Sequence, residues 1–233
     1  MDRDEARFVA ANLVALALAG ALFLWLSRNP ALDFRLAGIF FDPAQGRFPL
    51  KDAPLLAVAG HTGLRWLVIA IWLSAVVLAA ASWKVAALRH WRGPLLFFSI
   101  AVAAASLSAS LLKAASAHSC PWDLGVFGGT AQWFPLLDAP GAAPGPGRCW
   151  PSGHASGGFA LLAGYYALRD RHRALARAAL GVALLLGMLM SLVQIARGAH
   201  FLTHNLWSLW FAWLCCFAGY LVWCHAGYRG GRR

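Results

Sequence analysis

Cys149-Trp150-Pro151-Ser152-Gly153-His154, continuing as Ala155-Ser156-Gly157-Gly158-Phe159-Ala160-Leu161-Leu162, decides how this chain is read. A Pro-Ser-Gly-His turn leads straight into a hydrophobic, Gly-rich helix. The first N–H groups of a helix have no partner inside it, so such a turn aims open donors at whatever sits above it and makes an anion site. A hydroxyl (Ser152) and a titratable imidazole (His154) stand at the same point. The stretch predicts an apolar helix and, at its start, phosphate chemistry.

Working outward, the rest of the chain is apolar to match. Of 233 residues 60% are hydrophobic and 12% charged, with a mean hydropathy of +0.60, more apolar surface than a soluble domain of this length can hide. The apolar residues fall in runs of membrane-spanning length. Six spans are expected: Phe8–Leu26, Leu64–Trp83, Leu95–Leu112, Ala155–Leu168, Ala178–Ala196 and Asn205–Trp223. The fold class is therefore all-α, a six-transmembrane helical bundle forming one membrane domain over 1–233. Acidic residues precede the first run and no small-residue cleavage site follows it, so it reads as an anchor rather than a signal peptide.

With both termini on one side, that side holds Arg3, Arg7, Lys84, Arg89, Arg92, Arg169, Arg171, Arg173, Arg177, Arg229, Arg232 and Arg233, twelve of the 20 basic residues, in short segments. The positive-inside rule then places both termini in the cytoplasm. The net charge of +11 is accounted for by topology and by contact with anionic lipid. Nucleic-acid binding would gather the basic residues on one folded face, and here they are spread over loop ends; no nucleic-acid partner is expected, and no obligate protein partner is evident.

Two outward segments are long. Ser27–Gly63 contains Phe34-Arg35-Leu36-Ala37-Gly38-Ile39-Phe40-Phe41, read as lying in the membrane interface. Ala114–Gly153 is rich in Pro and Gly and carries Trp122, Phe127, Trp133 and Phe134. Long loops on one face mark that face as the working one. The polar exceptions agree: Lys113 ends the third span, His154 opens the fourth, and Arg197 and His200 follow the fifth, so all four reach the outward boundary. Any one alone reads better as an interfacial anchor; four together read as a site. If Arg197–His204 is helical, Arg197 and His200 are neighbours at i, i+3 and His200 and His204 at i, i+4. An imidazole beside a guanidinium suits nucleophilic attack on phosphate.

These residues carry a family resemblance. The chain resembles the type-2 phosphatidic acid phosphatase superfamily, integral-membrane branch, whose signatures are Lys-x6-Arg-Pro, Pro-Ser-Gly-His and Ser-Arg-x5-His-x3-Asp. The second is intact at Pro151–His154. The first reads Lys113, six residues, then Cys120-Pro121. In the third, His200 takes the place of the nucleophilic His, His204 stands where the Asp partner is expected, and Gln194 stands where the Arg is expected. The motifs fall within 113–207. On a helix, Arg197 is one turn closer to His200 on nearly the same face and replaces the missing Arg. Arg148 is either a second guanidinium or a solvated loop residue. A neutral His204 accepts the Nδ1–H bond of His200 but supplies no charge, and the one acid near the motifs, Asp123, either compensates or caps a turn.

The resemblance implies a phosphohistidine on His200, with His154 protonating the leaving oxygen and later activating water. Lys113, Arg197, Ser152 and the N–H of Gly153 hold the phosphoryl oxygens, the two imidazoles titrate near neutrality, and no metal or cofactor is implied. The substrate class is a lipid phosphate in the bilayer. The variant motifs look similar to a bacterial side branch with lipid A phosphatases among its relatives. Undecaprenyl pyrophosphate, phosphatidylglycerol phosphate and phosphatidic acid are the other substrates in view. In that setting the protein sits in a bacterial inner membrane with its site facing the periplasm. Cys120 and Cys149, each beside a motif on the outward face, are expected to form a disulfide there; the alternative is a pair of buried free thiols. Cys215, Cys216 and Cys224 read as packing residues. Three other readings compete: a phosphotransferase on the same fold, a transporter or inactive membrane scaffold, and a metal or haem protein using His118, His154, His200 and His204.

Overall fold

A computed structural model describes residues 3–227; the expected basic residues Arg229, Arg232 and Arg233 lie outside the described residues. Helix α1 (Arg3–Ser27) opens with Asp4 and Glu5, acids that suit the positive end of a helix dipole. It ends ahead of Asn29-Pro30, where Asn29 Oδ1 accepts the Ala31 N–H that starts α2 (Ala31–Gly38). A π-helical stretch over Leu55–Gly63 runs into α3 (Leu64–Ala81), and a 3-10 turn over Ala86–Trp91 into α4 (Arg92–Ala115). Then come α5 (Gly153–Ala160), α6 (Ala163–Leu168), α7 (Arg173–Ala196) and α8 (Leu202–His225). No strand is present among the described residues.

Five helical segments are long and apolar enough to cross a membrane: Arg3–Ser27, Leu55–Ala81, Ala86–Ala115, Arg173–Ala196 and Leu202–His225. Their outer faces are apolar, as at Leu13, Leu18, Leu22 and Trp25 on α1, all more than half exposed. Asn12 shows how a polar group within them is satisfied inside the bundle. Asn12 of α1 donates to Phe8 O, and its Oδ1 accepts from Tyr166 Oη of α6 and Trp213 Nε1 of α8. An unpaired amide in hydrocarbon is costly, so these bonds fix how α1 is rotated against its neighbours.

The fourth expected span, Ala155–Leu168, departs from expectation. It is not one helix but two, α5 and α6, broken at Leu161 and Leu162, and no residue from 153 to 169 is exposed. It packs against α4, α7 and α8. Glycines allow this. A Cβ on Gly158 would lie 2.7 Å from the Gly187 Cα of α7, so the two backbones touch where any larger residue would part them. Gly-rich sequence reads as apolar and membrane-like, but here it builds a short inner element that the longer helices enclose.

The two long loops close over one end of the bundle and pack on each other. Ala37, Phe48, Leu124, Phe127, Ala131 and Phe201 form a second apolar cluster, with Phe34 against Phe127, Trp133 and Phe201. Phe34 and Ala37 thus pack on the second loop, while Ile39 remains 70% exposed.

Candidate functional site

The intact motif folds as its sequence requires. Ser152 has an extended backbone and caps α5, its Oγ accepting the Ala155 N–H. Its own N–H donates to His204 O, and its carbonyl accepts from Ser208 Oγ of α8. Ser152 is fully buried, so its hydroxyl is committed to the helix start. Cap and first helical turn leave the N–H groups of Gly153 and His154 without a partner among the described residues. Lys113, in the last turn of α4, lies against this turn: its Nζ is 3.9 Å from the Cβ position of Gly153.

The second histidine segment departs from the helical reading. Helix α7 stops at Ala196, with Arg197 as its C-cap, and Gly198 takes a left-handed φ of +71°. A Cβ there would collide with the Phe48 ring. The N–H groups of Ala199 and His200 both donate to Gln194 O, and α8 begins only at Leu202. His200 therefore sits in the connection and His204 in the first turn of α8. They meet nonetheless, Nδ1 to Nδ1 at 3.5 Å. Arg197 is aimed by the first loop, its Nε donating to Lys51 O at 2.8 Å.

The expected disulfide between Cys120 and Cys149 is present. Cys149 Sγ lies 3.4 Å from His200 Nδ1, so the bridge packs directly on the putting-together point of both motif segments. Trp122 N–H donates to Gly198 O, which ties the Cys120 loop to the α7–α8 connection. The peptide bond between Trp150 and Pro151 is cis.

Burial dominates the electrostatics, which corrects the expectation of imidazoles titrating near neutrality. His200 is held well below the usual imidazole range by burial first, then by the charges of His204 and Lys113, with His154 a smaller contributor. His154 is pushed down to about 4, again by burial first and then by His61. Lys113, His204 and His154 thus all bear on the charge of the His200 ring.

Arg148 stands apart. It is exposed with φ +55°, and its backbone N–H donates to Ser116 O. Asp123 does not join the site's hydrogen bonds either. Its carbonyl accepts from Thr130 and Ala131, and burial raises its carboxyl while Lys51 opposes the rise. The suggested ligand set of His118, His154, His200 and His204 is not gathered at one point. Among the described residues the one such cluster is Cys120, Cys149 and His200, whose cysteines are joined to each other.

Two residues of interest, His61 and Asp33, escaped the sequence reading, and Gln194 was noted there only as standing at the family's Arg position. His61, from the π-helical stretch, stacks on His154 with ring centroids 4.5 Å apart, and His154 Nε2 lies 3.3 Å from Gly60 O. Gln194 is 2% exposed with an Nε2 that has no partner among the described residues. Asp33 of α2 is 3% exposed and receives both the N–H and the hydroxyl of Thr203, so it caps α8, which Phe201 cannot do. Their one signal is polarity in apolar surroundings, as in Ala31-Leu32-Asp33-Phe34.

A multi-pass helical membrane protein with histidines, a lysine and open N–H groups converging at one loop-covered end is the class that fold and site define. The family model described as the PAP2 superfamily matches residues 94–227, more than half of the chain, and the chain belongs to that superfamily of phosphatases. No curated protein and no solved structure matches it.

Proposed function

We propose that the chain is a membrane-embedded lipid phosphate phosphatase that forms a phosphohistidine on His200. The observation that carries this reading is the meeting of His200 and His204 with the Lys113 ammonium and the open start of α5. With Nδ1 of His200 turned to His204 and Cys149, Nε2 is the nitrogen left for phosphorus. It attacks in line, the bond from phosphorus to the lipid oxygen breaks, and that oxygen takes its proton from His154. Lys113, Arg197 and the N–H groups of Gly153 and His154 bear the phosphoryl charge. Ser152 acts through the helix start that it caps. Gln194 Nε2, at the family's Arg position, is a further donor.

His154 must be protonated for the first step. In the free protein burial and cationic neighbours oppose this, and a bound phosphate dianion supplies the missing opposite charge. Returned to its neutral form, His154 then takes a proton from the water that releases phosphate. This chemistry needs no metal. We further propose six crossings with α5 and α6 as the fourth, both termini in the cytoplasm of a bacterial inner membrane, and the site facing the periplasm. A site at the membrane boundary beneath aromatic loops suits a lipid whose phosphate stays in water.

The test is phosphate release by the purified protein in EDTA, from phosphatidic acid, phosphatidylglycerol phosphate, undecaprenyl pyrophosphate and lipid A, beside His200→Ala. Release from one lipid that survives EDTA and vanishes in the variant is the expected result. Release from none, with or without a lipid acceptor, overturns the reading.

A further inference from the structure

The family pattern puts a carboxylate against the nucleophilic histidine, and here that position holds His204. The tautomers follow from geometry. His200 can attack through Nε2 only if its ring proton sits on Nδ1, so Nδ1–H must donate to His204 Nδ1 across the 3.5 Å between them. His204 then carries its own proton on Nε2. That N–H is buried and needs an acceptor.

The structure offers one. His204 lines a cavity of about 20 Å³ together with Asp33, Thr203, His118 and Trp150. That volume accommodates one water. The indole N–H of Trp150, another lining residue, is buried without a partner among the described residues. Each Asp33 oxygen accepts one hydrogen bond from Thr203, and a carboxylate oxygen has room for a second. Asp33 is also the one acid in the buried class among the described residues.

We propose that Asp33 is a positioning residue, its carboxylate acting through this shared cavity to hold the His204 proton on Nε2 and thereby the His200 proton on Nδ1. The chain of groups is His200 Nδ1–H to His204 Nδ1, then His204 Nε2–H to Asp33 through one water. As the phosphorus–nitrogen bond forms and the His200 ring becomes positive, the Asp33 charge balances it at a distance, and each proton shifts along its own hydrogen bond without leaving the site. The carboxylate lost from the third motif is thus restored from α2, 170 residues before Thr203. The inference rests on His200 being the nucleophile.

Asp33 also caps α8, so a fall in activity alone would not separate positioning from folding. Two measurements do. In full-length protein labelled with 15N-histidine, the ring nitrogens should report His200 protonated at Nδ1 and His204 at Nε2, with the His204 signals moving in Asp33→Asn. His204→Asp puts a carboxylate directly on His200 and bypasses the relay. With phosphatidic acid in mixed micelles as probe, Asp33→Asn should lower kcat about tenfold or more at little change in KM, and this cost should shrink in the His204→Asp background. An equal cost in both backgrounds overturns the proposal, as does a His204 proton on Nδ1 in the unmutated protein. The ring-nitrogen measurement decides even where a variant does not fold. A wild type that releases no phosphate from any lipid counts against the phosphatase reading, while the ring tautomers still judge the relay.

Discussion

The two histidine segments solve the same problem differently. Pro151–His154 is local in its shape: its serine caps its own helix and its open donors follow from residues adjacent in sequence, while α8 and the His61 stretch only seat it. Arg197–His204 is assembled from afar. Gly198 ends α7, Phe48 covers it, Lys51 aims Arg197, Asp33 caps α8, and Cys149 lies on His200. A site whose supports are distant can lose a motif residue, because another part of the chain can take its place.

The comparison can be broken where it is sharpest. His200→Ala should remove turnover by about 10⁴-fold or more, measured as phosphate release, if the assembled segment carries the nucleophile. His154→Ala should cost about 10²- to 10⁴-fold in kcat, as loss of a general acid does, with less effect on KM. If the order of the two were reversed, the roles assigned to the segments would have to be exchanged.

Stability sharpens it further. Cys120→Ser with Cys149→Ser opens a loop of sequence separation 29, and chain entropy alone predicts a loss of about 3–4 kcal/mol by thermal or denaturant unfolding. Because the bridge supports the assembled segment, turnover should fall as well. Asp33 gives a pH signature. Burial raises it from the model-compound value of 3.8 to about 6, so the folded protein holds this proton more tightly than the unfolded chain. Its contribution is full below about pH 4 and is lost as pH rises through about 6, amounting to about 3 kcal/mol. Melting curves across that window should show the decline, and Asp33→Asn should flatten it. Gly187→Ala, which drives a methyl into the Phe159 ring, should cost about 1–3 kcal/mol and leave the pH profile alone.

The sequence showed what depends on composition and neighbouring residues. Apolar runs located five long helices, and the Pro-Ser-Gly-His turn located its own helix start and open donors. Cys120 and Cys149 were paired correctly from their places beside the motifs. What it did not show depends on contacts across the fold. Gly198 alone was a weak stop signal, so the spacing of Arg197, His200 and His204 was weighed only for the case of a helix. Asp33 and His61 reach the site only because α2 and the π-helical stretch pack there. Arg148 and Asp123 were chosen for nearness in sequence, and among the described residues no hydrogen bond ties either side chain to the histidines.

The buried pair α5 and α6 bears on how the chain enters a bilayer. At 16 residues from Gly153 to Leu168, broken in the middle and rich in glycine, it is a weak segment for independent insertion. Its natural surroundings are α4, already made, and α7 and α8, still to be synthesised. The His154 turn therefore waits on the end of the chain, and a nascent chain stopped before α8 would carry every residue of the intact motif yet have no place to seat it.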